Sequence, residues 1–220
     1  MRKTIKIKIQ RQPKEFEQFL KEVRKVKKVQ FIGPLIGYQS DIDTSLPTIF
    51  IDGGTKVLKK RDFKIFISLG DGDSSKTPLG IKLPTRKNCS DLKFGLDLMK
   101  DTATSIQLLG FSSKKQEKRL DHLLANIGES YFHCKKYSKI ISIDQKLIIL
   151  PKGVHQLNFT GHFGLLTLEK SRLKMHGNID YQIIESSILS PLSSLGISNY
   201  SYGKFKIENN RPVIIVLTEE

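Results

Sequence analysis

Polar residues and Ile alternate over residues 4–9, which predicts a short strand. Pro13 follows, where a first helical turn tolerates proline. Phe16, Phe19, Leu20, Val23 and Val26 then recur at helical spacing, with a basic opposite side. The apolar stripe is short and broken by charge, which suits a packing helix and not a membrane anchor. From Val29 the texture changes. VQFIG, PTIFIDGG and FKIFISLGDGDSS are short apolar, β-rich runs ending in Gly and Asp. Strands buried on both faces of a parallel sheet read this way. Ser90 can cap a helix carrying Leu92, Leu96 and Met99. SIQLLGF (105–111) is a further buried strand. Residues 119–132 are helical, with Leu120, Leu123, Leu124 and Ile127 at i, i+3, i+4 and i+7. This alternation predicts an α/β domain with a mostly parallel sheet.

After about residue 138 the helical period disappears. KIISIDQKLIILPKG reads as two strands about a turn at Asp144 and Gln145. HQLNFTG, FGLLTLEK, RLKMHG, GKFKIE and PVIIVLT continue as short runs between Gly, Pro and Asn. They predict a small all-β sandwich domain or a small barrel. The expected organisation is therefore residues 1–137 as the α/β domain, with 1–28 a basic N-terminal extension, and 138–220 as the all-β domain. No fixed-period repeat or low-complexity linker interrupts it.

Composition narrows the classes. The 220 residues are 38% hydrophobic, which excludes a disordered chain and leaves ample material for a core. No run approaches the ~18 apolar residues of a membrane helix. The first dozen residues mix charge with Ile and have no continuous apolar signal core. Two cysteines, Cys89 and Cys134, exclude a disulfide framework and a four-Cys zinc site. The expectation is a soluble cytoplasmic protein with reduced thiols. The formal charge is +15, and residues 1–28 hold eleven Lys and Arg against three acids. Such a segment can meet nucleic acid or another acidic surface. No aromatic stacking residues interleave with its lysines, so it reads as a solvated basic helix, and no nucleic-acid partner is expected.

Carboxylates fall at the ends of the predicted strands. Asp52 ends PTIFIDGG, and Asp71 and Asp73 end FKIFISLGDGDSS. Ligands of open parallel sheets bind at the carboxyl ends of strands. Asp91 and Asp121 lie in the first turns of the two following helices, on the same edge of such a sheet. Five carboxylates can thus face one crevice, and none has a neighbouring Lys in sequence to neutralise it cheaply. Clustered carboxylates repel, and a divalent cation relieves the repulsion. Mg2+ takes a few carboxylates together with water and phosphate oxygens. Taken singly, an Asp in a first turn is usually a cap or a helix-dipole partner. The Asp71-Gly72-Asp73 pair is the more telling feature.

Other signatures fail. A calcium loop starting at Asp71 needs Gly sixth and Glu twelfth, where Lys76 and Lys82 stand. There is no GxGxxG, no Walker lysine loop, no GxSxG elbow and no HExxH. His133-Cys134 reads as packing rather than ligation.

The motifs, in this order, resemble those of the thiamine pyrophosphokinases. Asp52-Gly53-Gly54 matches an Asp-Gly-Gly after an early strand, and Gly70-Asp71-Gly72-Asp73-Ser74 matches a Gly-Asp-x-Asp-Ser loop. Ser90-Asp91 stands for a Thr-Asp helix start. The run from Arg119 to Asn126, RLDHLLAN, matches an Arg-Leu-Asp-His-x-Leu-x-Asn helix and is the most specific piece. Gly196-Ile197-Ser198-Asn199 matches a late Gly-x-Ser-Asn segment. The resemblance spans roughly residues 29–217. It implies transfer of a pyrophosphoryl group from ATP to the hydroxyl of thiamine, giving thiamine diphosphate and AMP. It implies a homodimer with sites between the α/β domain of one subunit and the β domain of the other. Carried over by position, Asp71, Asp73 and Asp91 would hold Mg2+ and phosphates, and Asp121 would sit near the attacking hydroxyl or the metal. Asp52, Gly53, Gly54 and Ser90 would line the nucleotide site, Arg119 would bind phosphate, and Ser198 and Asn199 would form part of the thiamine pocket.

The chain also departs from that pattern. GFSSKKQEKRLDH replaces a short glycine turn before the Arg-Leu-Asp-His run, so Lys114, Lys115 or Lys118 would have to supply lost phosphate contacts. Phe94 stands where relatives often carry Lys, and Lys93 points about 100° away on a helix. There is no Trp to stack on thiamine, leaving Tyr200 or Tyr202. These changes also suit a divergent or inactive relative that acts on another alcohol or binds nucleotide or nucleic acid. A phosphatase built on the Asp-x-Asp loop is a further alternative, without a convincing later Asp-Asp pair.

Overall fold

The computed structural model describes residues 8–9, 13–36, 42–112 and 120–218. The chain divides into two compact units, Met1–Asn126 and Ile127–Glu220. The division falls inside a helix, earlier than the boundary expected after residue 137. No described helix is long and apolar enough to cross a membrane.

The first unit runs β1 (Lys8–Ile9), α1 (Pro13–Val26), β2 (Lys28–Ile32), β3 (Thr48–Ile51), a 3-10 segment (Asp52–Lys59), β4 (Phe66–Gly70), β5 (Ile81–Lys82), α2 (Asp91–Leu98), β6 (Ser105–Leu109) and the start of α3 (Leu120–Tyr137). Its strand order is β1-β5-β4-β3-β2-β6. β2 lies parallel to β3 and to β6, β3 to β4 and β4 to β5, whereas β1 is antiparallel to β5. Four of these five pairings are parallel, as expected, and the antiparallel edge strand β1 makes the sheet mixed. Of the strand predicted over 4–9, residues 4–7 lie outside the described residues.

The apolar runs became the central strands because they can be buried on both faces. Val29, Phe31, Ile32, Ile49 and Phe50 are all fully enclosed. In α1, Phe19 and Val23 are buried, but Val26 is exposed. The next residue, Lys27, has φ 56 and turns the chain into β2, so Val26 falls off the stripe. Ser90 caps α2 by accepting a hydrogen bond from the Lys93 N–H at 3.0 Å. Gly95 of α2 lies against Phe31; a Cβ there would stand 2.6 Å from the ring, so glycine permits the close approach.

Helix α3 is longer than the pattern over 119–132 implied. Leu120 and Leu124 are more than half exposed, and the buried residues are Ser130, Tyr131, His133 and Cys134 in its second half. The apolar period located the helix but not its buried side. That side is set by the second unit, where the Tyr131 hydroxyl bonds Thr167 Oγ1 at 2.9 Å and the Pro212 carbonyl at 3.0 Å. Cys134 packs there too, and burial pushes its thiol up to about 12.

The second unit continues with β7 (Ile140–Ile143), β8 (Leu147–Leu150), β9 (Gly153–Leu166), β10 (Ser171–Ile179), β11 (Ile183–Leu189), β12 (Asn199–Asn209) and β13 (Val213–Leu217). Their order is β7-β8-β13-β9-β12-β10-β11, antiparallel at every pairing. Hydrogen bonding thus runs in one series through the seven strands, where a two-sheet sandwich was expected. Asp144 and Gln145, at φ 48 and 59, make the tight β7–β8 turn. Alternate residues such as Phe163, Leu165, Leu173, Phe205, Ile207 and Ile215 point to one side and form the core.

Candidate functional site

The strand order of the first unit reverses at β2: β3, β4 and β5 lie to one side and β6 to the other. A doubly wound sheet opens a crevice at such a point, beyond the carboxyl ends of the strands. A cleft of about 390 Å³ lies there. Pro34 and Leu35 enter it after β2, Asp52 after β3, Asp73 and Ser74 after β4, and Gly110 and Phe111 after β6. Ser90 and Asp91 reach it from the start of α2, and His122 and Asn126 from α3. The Asn126 amide also donates to the Phe111 carbonyl at 3.3 Å.

Asp52 is the pivot of this site. It is 6% exposed and has φ 42, a left-handed conformation that a short polar side chain tolerates. Its Oδ1 accepts the Gly72 N–H at 2.8 Å. Gly70, at φ 149, passes so close that a Cβ would overlap the Asp52 carboxylate. Asp52, Asp71 and Asp73 each offer an oxygen within 4.8 Å of the others. Asp71 Oδ1 also accepts the Asp73 N–H at 3.2 Å, holding the loop in a turn, and the Lys82 ammonium donates to the Asp71 carbonyl.

The fold brings a lysine beside these carboxylates, none of which has one as a neighbour in sequence. Lys87 Nζ lies 3.0 Å from Asp71 Oδ2 and 3.0 Å from Asp91 Oδ1, and its side chain is 9% exposed. Sequence reasoning passed over it because it precedes the helix cap. The available signal was its position four residues before Asp91. Burial raises the Asp71 carboxyl, but the bonds from Lys87 and the Asp73 amide outweigh it and hold the group below the usual range. For Lys87, burial favours the neutral amine, yet bonding to Asp91 and Asp71 prevails and raises it. Asp52 moves the other way. Burial, a hydrogen bond shared with Asp91, and the charges of Asp91 and Asp71 push it up to about 7.

The carboxylate group thus contains Asp52, where the resemblance put Asp91 with Asp71 and Asp73. Asp91 is instead joined to Lys87 and to Asp52. Gly53 donates its N–H to Ser74 Oγ at 3.2 Å, tying the Asp-Gly-Gly turn to the Asp-x-Asp loop. Gly54 is pressed against the Ile32 carbonyl with no room for a side chain. Asp121 is exposed, does not line the cleft, and has its carboxylate 3.7 Å from His122 Nε2. Arg119 lies outside the described residues, as do Lys114, Lys115 and Lys118. Phe94 is half-buried on α2. Ser198 and Asn199 stand in the second unit, entering β12. Ser198 is exposed at φ 60, while Asn199 is buried and its amide bonds the Tyr181 carbonyl and N–H at 2.8 and 3.1 Å.

The donor set is all hard oxygen, which fits Mg2+. Solved structures share this architecture. The thiamine pyrophosphokinase of Bacillus subtilis superposes with a TM-score of 0.70 at 18% identity, covering 88% of this chain and 100% of that one. The chain has the thiamine pyrophosphokinase fold. The Geobacillus thermodenitrificans enzyme gives 0.67 at 18%, covering 88% and 98%, and the Candida albicans enzyme 0.67 at 16%, covering 91% of each. The sequence itself matches no protein-family model and no curated protein.

Proposed function

We propose that this chain is a divergent thiamine pyrophosphokinase that transfers a pyrophosphoryl group from ATP to the hydroxyl of thiamine, releasing thiamine diphosphate and AMP. The observation that carries this reading is the Asp52, Asp71 and Asp73 cluster at the switch point of a thiamine pyrophosphokinase fold. In this reading residues 1–137 are the nucleotide-binding catalytic domain. Residues 138–220 bind thiamine and dimerise, and the working unit is a homodimer.

Asp71 and Asp73, with Asp52, would hold Mg2+, which when bound neutralises charge on the triphosphate and the carboxylates together. Lys87 keeps Asp71 ionised and bridges it to Asp91. The Asp-Gly-Gly turn brings backbone close to the phosphates, and Ser90 fixes the start of α2 beside them. Arg119 contributes a phosphate contact. Asp121, outside the metal group, takes the hydroxyl proton as the weakly nucleophilic alcohol attacks. Ser198 and Asn199 shape the thiamine pocket.

The test is a product assay with ATP, Mg2+ and thiamine, resolved by chromatography. Thiamine diphosphate with equimolar AMP is expected, and Asp71→Asn or Asp73→Asn should abolish it while leaving the fold intact. Retained turnover in both variants would sink the metal assignment. Phe94 and the absent Trp favour a second reading, transfer to another alcohol. A panel of hydroxymethyl heterocycles separates the two: AMP formed with another acceptor but not with thiamine supports the second.

A further inference from the structure

Three adjacent strands of the second unit, β9, β12 and β10, contain one carboxylate, Glu208, against Arg172, Lys174, Lys204, Lys206 and three histidines. The pairing register gathers Arg172, the lysines, His162, His176 and Glu208 on one face, while His155, opposite the buried Ile207, lies on the other. Tyr200, Tyr202, Lys204 and Lys206 alternate with the buried Ser201, Phe205 and Ile207, so they point away from the core. Across β9, His162 stands opposite Tyr200 and Thr160 opposite Tyr202. Across β10, His176 stands opposite Lys206 and Lys174 opposite Glu208.

The resulting surface has two ends. At one end His162, Tyr200 and Tyr202 form a ladder of rings with successive centroids 4.8 Å apart. The Tyr202 hydroxyl bonds Asp180 at 2.8 Å, which steadies the ring while it remains 61% exposed. At the other end an open cavity of about 450 Å³ is lined by Lys152, Arg172 and Lys174, with Glu208 and Asn210. Lys204 and Lys206 lie between the two ends on β12. None of the cations on this face is a residue of the site in the first unit.

We propose that this outer sheet face binds a single-stranded polynucleotide, with phosphates along the lysines and in the basic cavity, and bases on the His162–Tyr200–Tyr202 ladder. Flat sheets that present aromatics beside cations bind single strands in this way, because every base has a stacking face and every linkage carries a charge. A duplex keeps its bases stacked internally and cannot use the rings. From Tyr200 to Glu208 the strand extends about 26 Å at the usual rise, room for about four nucleotides. The expectation from sequence looked for aromatic interleaving only in residues 1–28. The sheet supplies it elsewhere, by joining residues from three strands.

The experiment titrates the full chain into end-labelled single-stranded RNA and DNA decamers, with fluorescence anisotropy read across a salt series. Binding is expected to weaken with salt. In Lys174→Glu/Lys204→Glu/Lys206→Glu the slope of log affinity against log salt should fall by about 2, from three lost phosphate contacts. Tyr202→Ala should bind about tenfold more weakly at unchanged slope. Lys174→Gln/Lys204→Gln/Lys206→Gln serves if the reversed set fails to fold, as read by circular dichroism. Tighter binding of the RNA or of the DNA decamer names the sugar, and either supports the proposal. Absence of binding at low salt overturns it. So does an unchanged slope in the triple variant, which would move the contacts to residues 1–28. Equal affinity for duplex, or binding only to anionic vesicles, overturns it as well.

Discussion

Removing Lys87 tests whether the site is organised around its charge. In Lys87→Met two carboxylates, Asp71 and Asp91, lose a partner 3.0 Å away, and the side chains are only 13% and 14% exposed. Breaking such a pair from one side leaves uncompensated charge and costs about 3–5 kcal/mol when fully buried. The cleft is open to solvent on one side, and Asp52 can stay protonated to absorb part of the repulsion, so about 2–3 kcal/mol is the expected loss near neutral pH. For a chain of this size that lowers the melting temperature by about 4–12 °C. The sign of the pH dependence is fixed. Asp71 is held below its ordinary value, so its contribution is present above the unfolded carboxylate range and vanishes as pH falls through the folded value. The gap between variant and wild type should therefore be widest near neutral pH and close on acidification. Millimolar Mg2+ should narrow it at neutral pH, since the cation replaces the lost charge. The assay is thermal melting by circular dichroism at two pH values, with and without Mg2+. A variant that melts within a degree or two of wild type near neutral pH would refute the argument, and so would a gap that widens in acid.

Asp52→Asn should stabilise the metal-free protein at alkaline pH. The folded carboxyl sits at about 7, above its ordinary 3.8, so wild-type stability falls as pH rises between those values, by up to about 4 kcal/mol. The variant's melting temperature should lose that slope, and calorimetric titration should find its Mg2+ affinity reduced; a retained slope would assign the titration elsewhere. Gly70→Ala should cost about 2–3 kcal/mol in denaturant unfolding, because φ 149 and the Asp52 carboxylate both exclude a Cβ. Tyr131→Phe should cost about 1–2 kcal/mol, leaving Thr167 and the Pro212 carbonyl without the hydroxyl, and should leave AMP formation intact. Under native conditions a thiol reagent should label Cys89 but not Cys134, whose thiol is fully buried and pushed up to about 12; rapid labelling of both would contradict that burial.

Much of the fold was legible along the chain because its signals are local. The runs around Phe31, Phe50 and Leu69 are apolar without alternation, which is how a strand buried on both faces must read. Ser90 announces α2 through a cap whose bond spans three residues. Asp144-Gln145 needs only its own backbone to make a turn. The carboxylates were legible for the same reason, since a strand in such a sheet delivers whatever follows it to the carboxyl edge. Val26, Leu120 and Leu124 keep the helical period yet are exposed, because apolar period reports a helix and not what packs on it.

The composition and order of residues determined the strands, the helices, and which acids stand at the strand ends. Only the tertiary structure decided which acids meet. Asp52 joins Asp71 and Asp73 because Gly70 lets β4 pass against its side chain, a contact between segments about twenty residues apart. Lys87 reaches both Asp71 and Asp91 because the chain between β5 and α2 passes beside the loop after β4. The ring ladder on β9 and β12 exists only through register, which pairs His162 with Tyr200 across nearly forty residues. Charge proximity and register are properties of the folded sheet, and sequence spacing alone does not contain them.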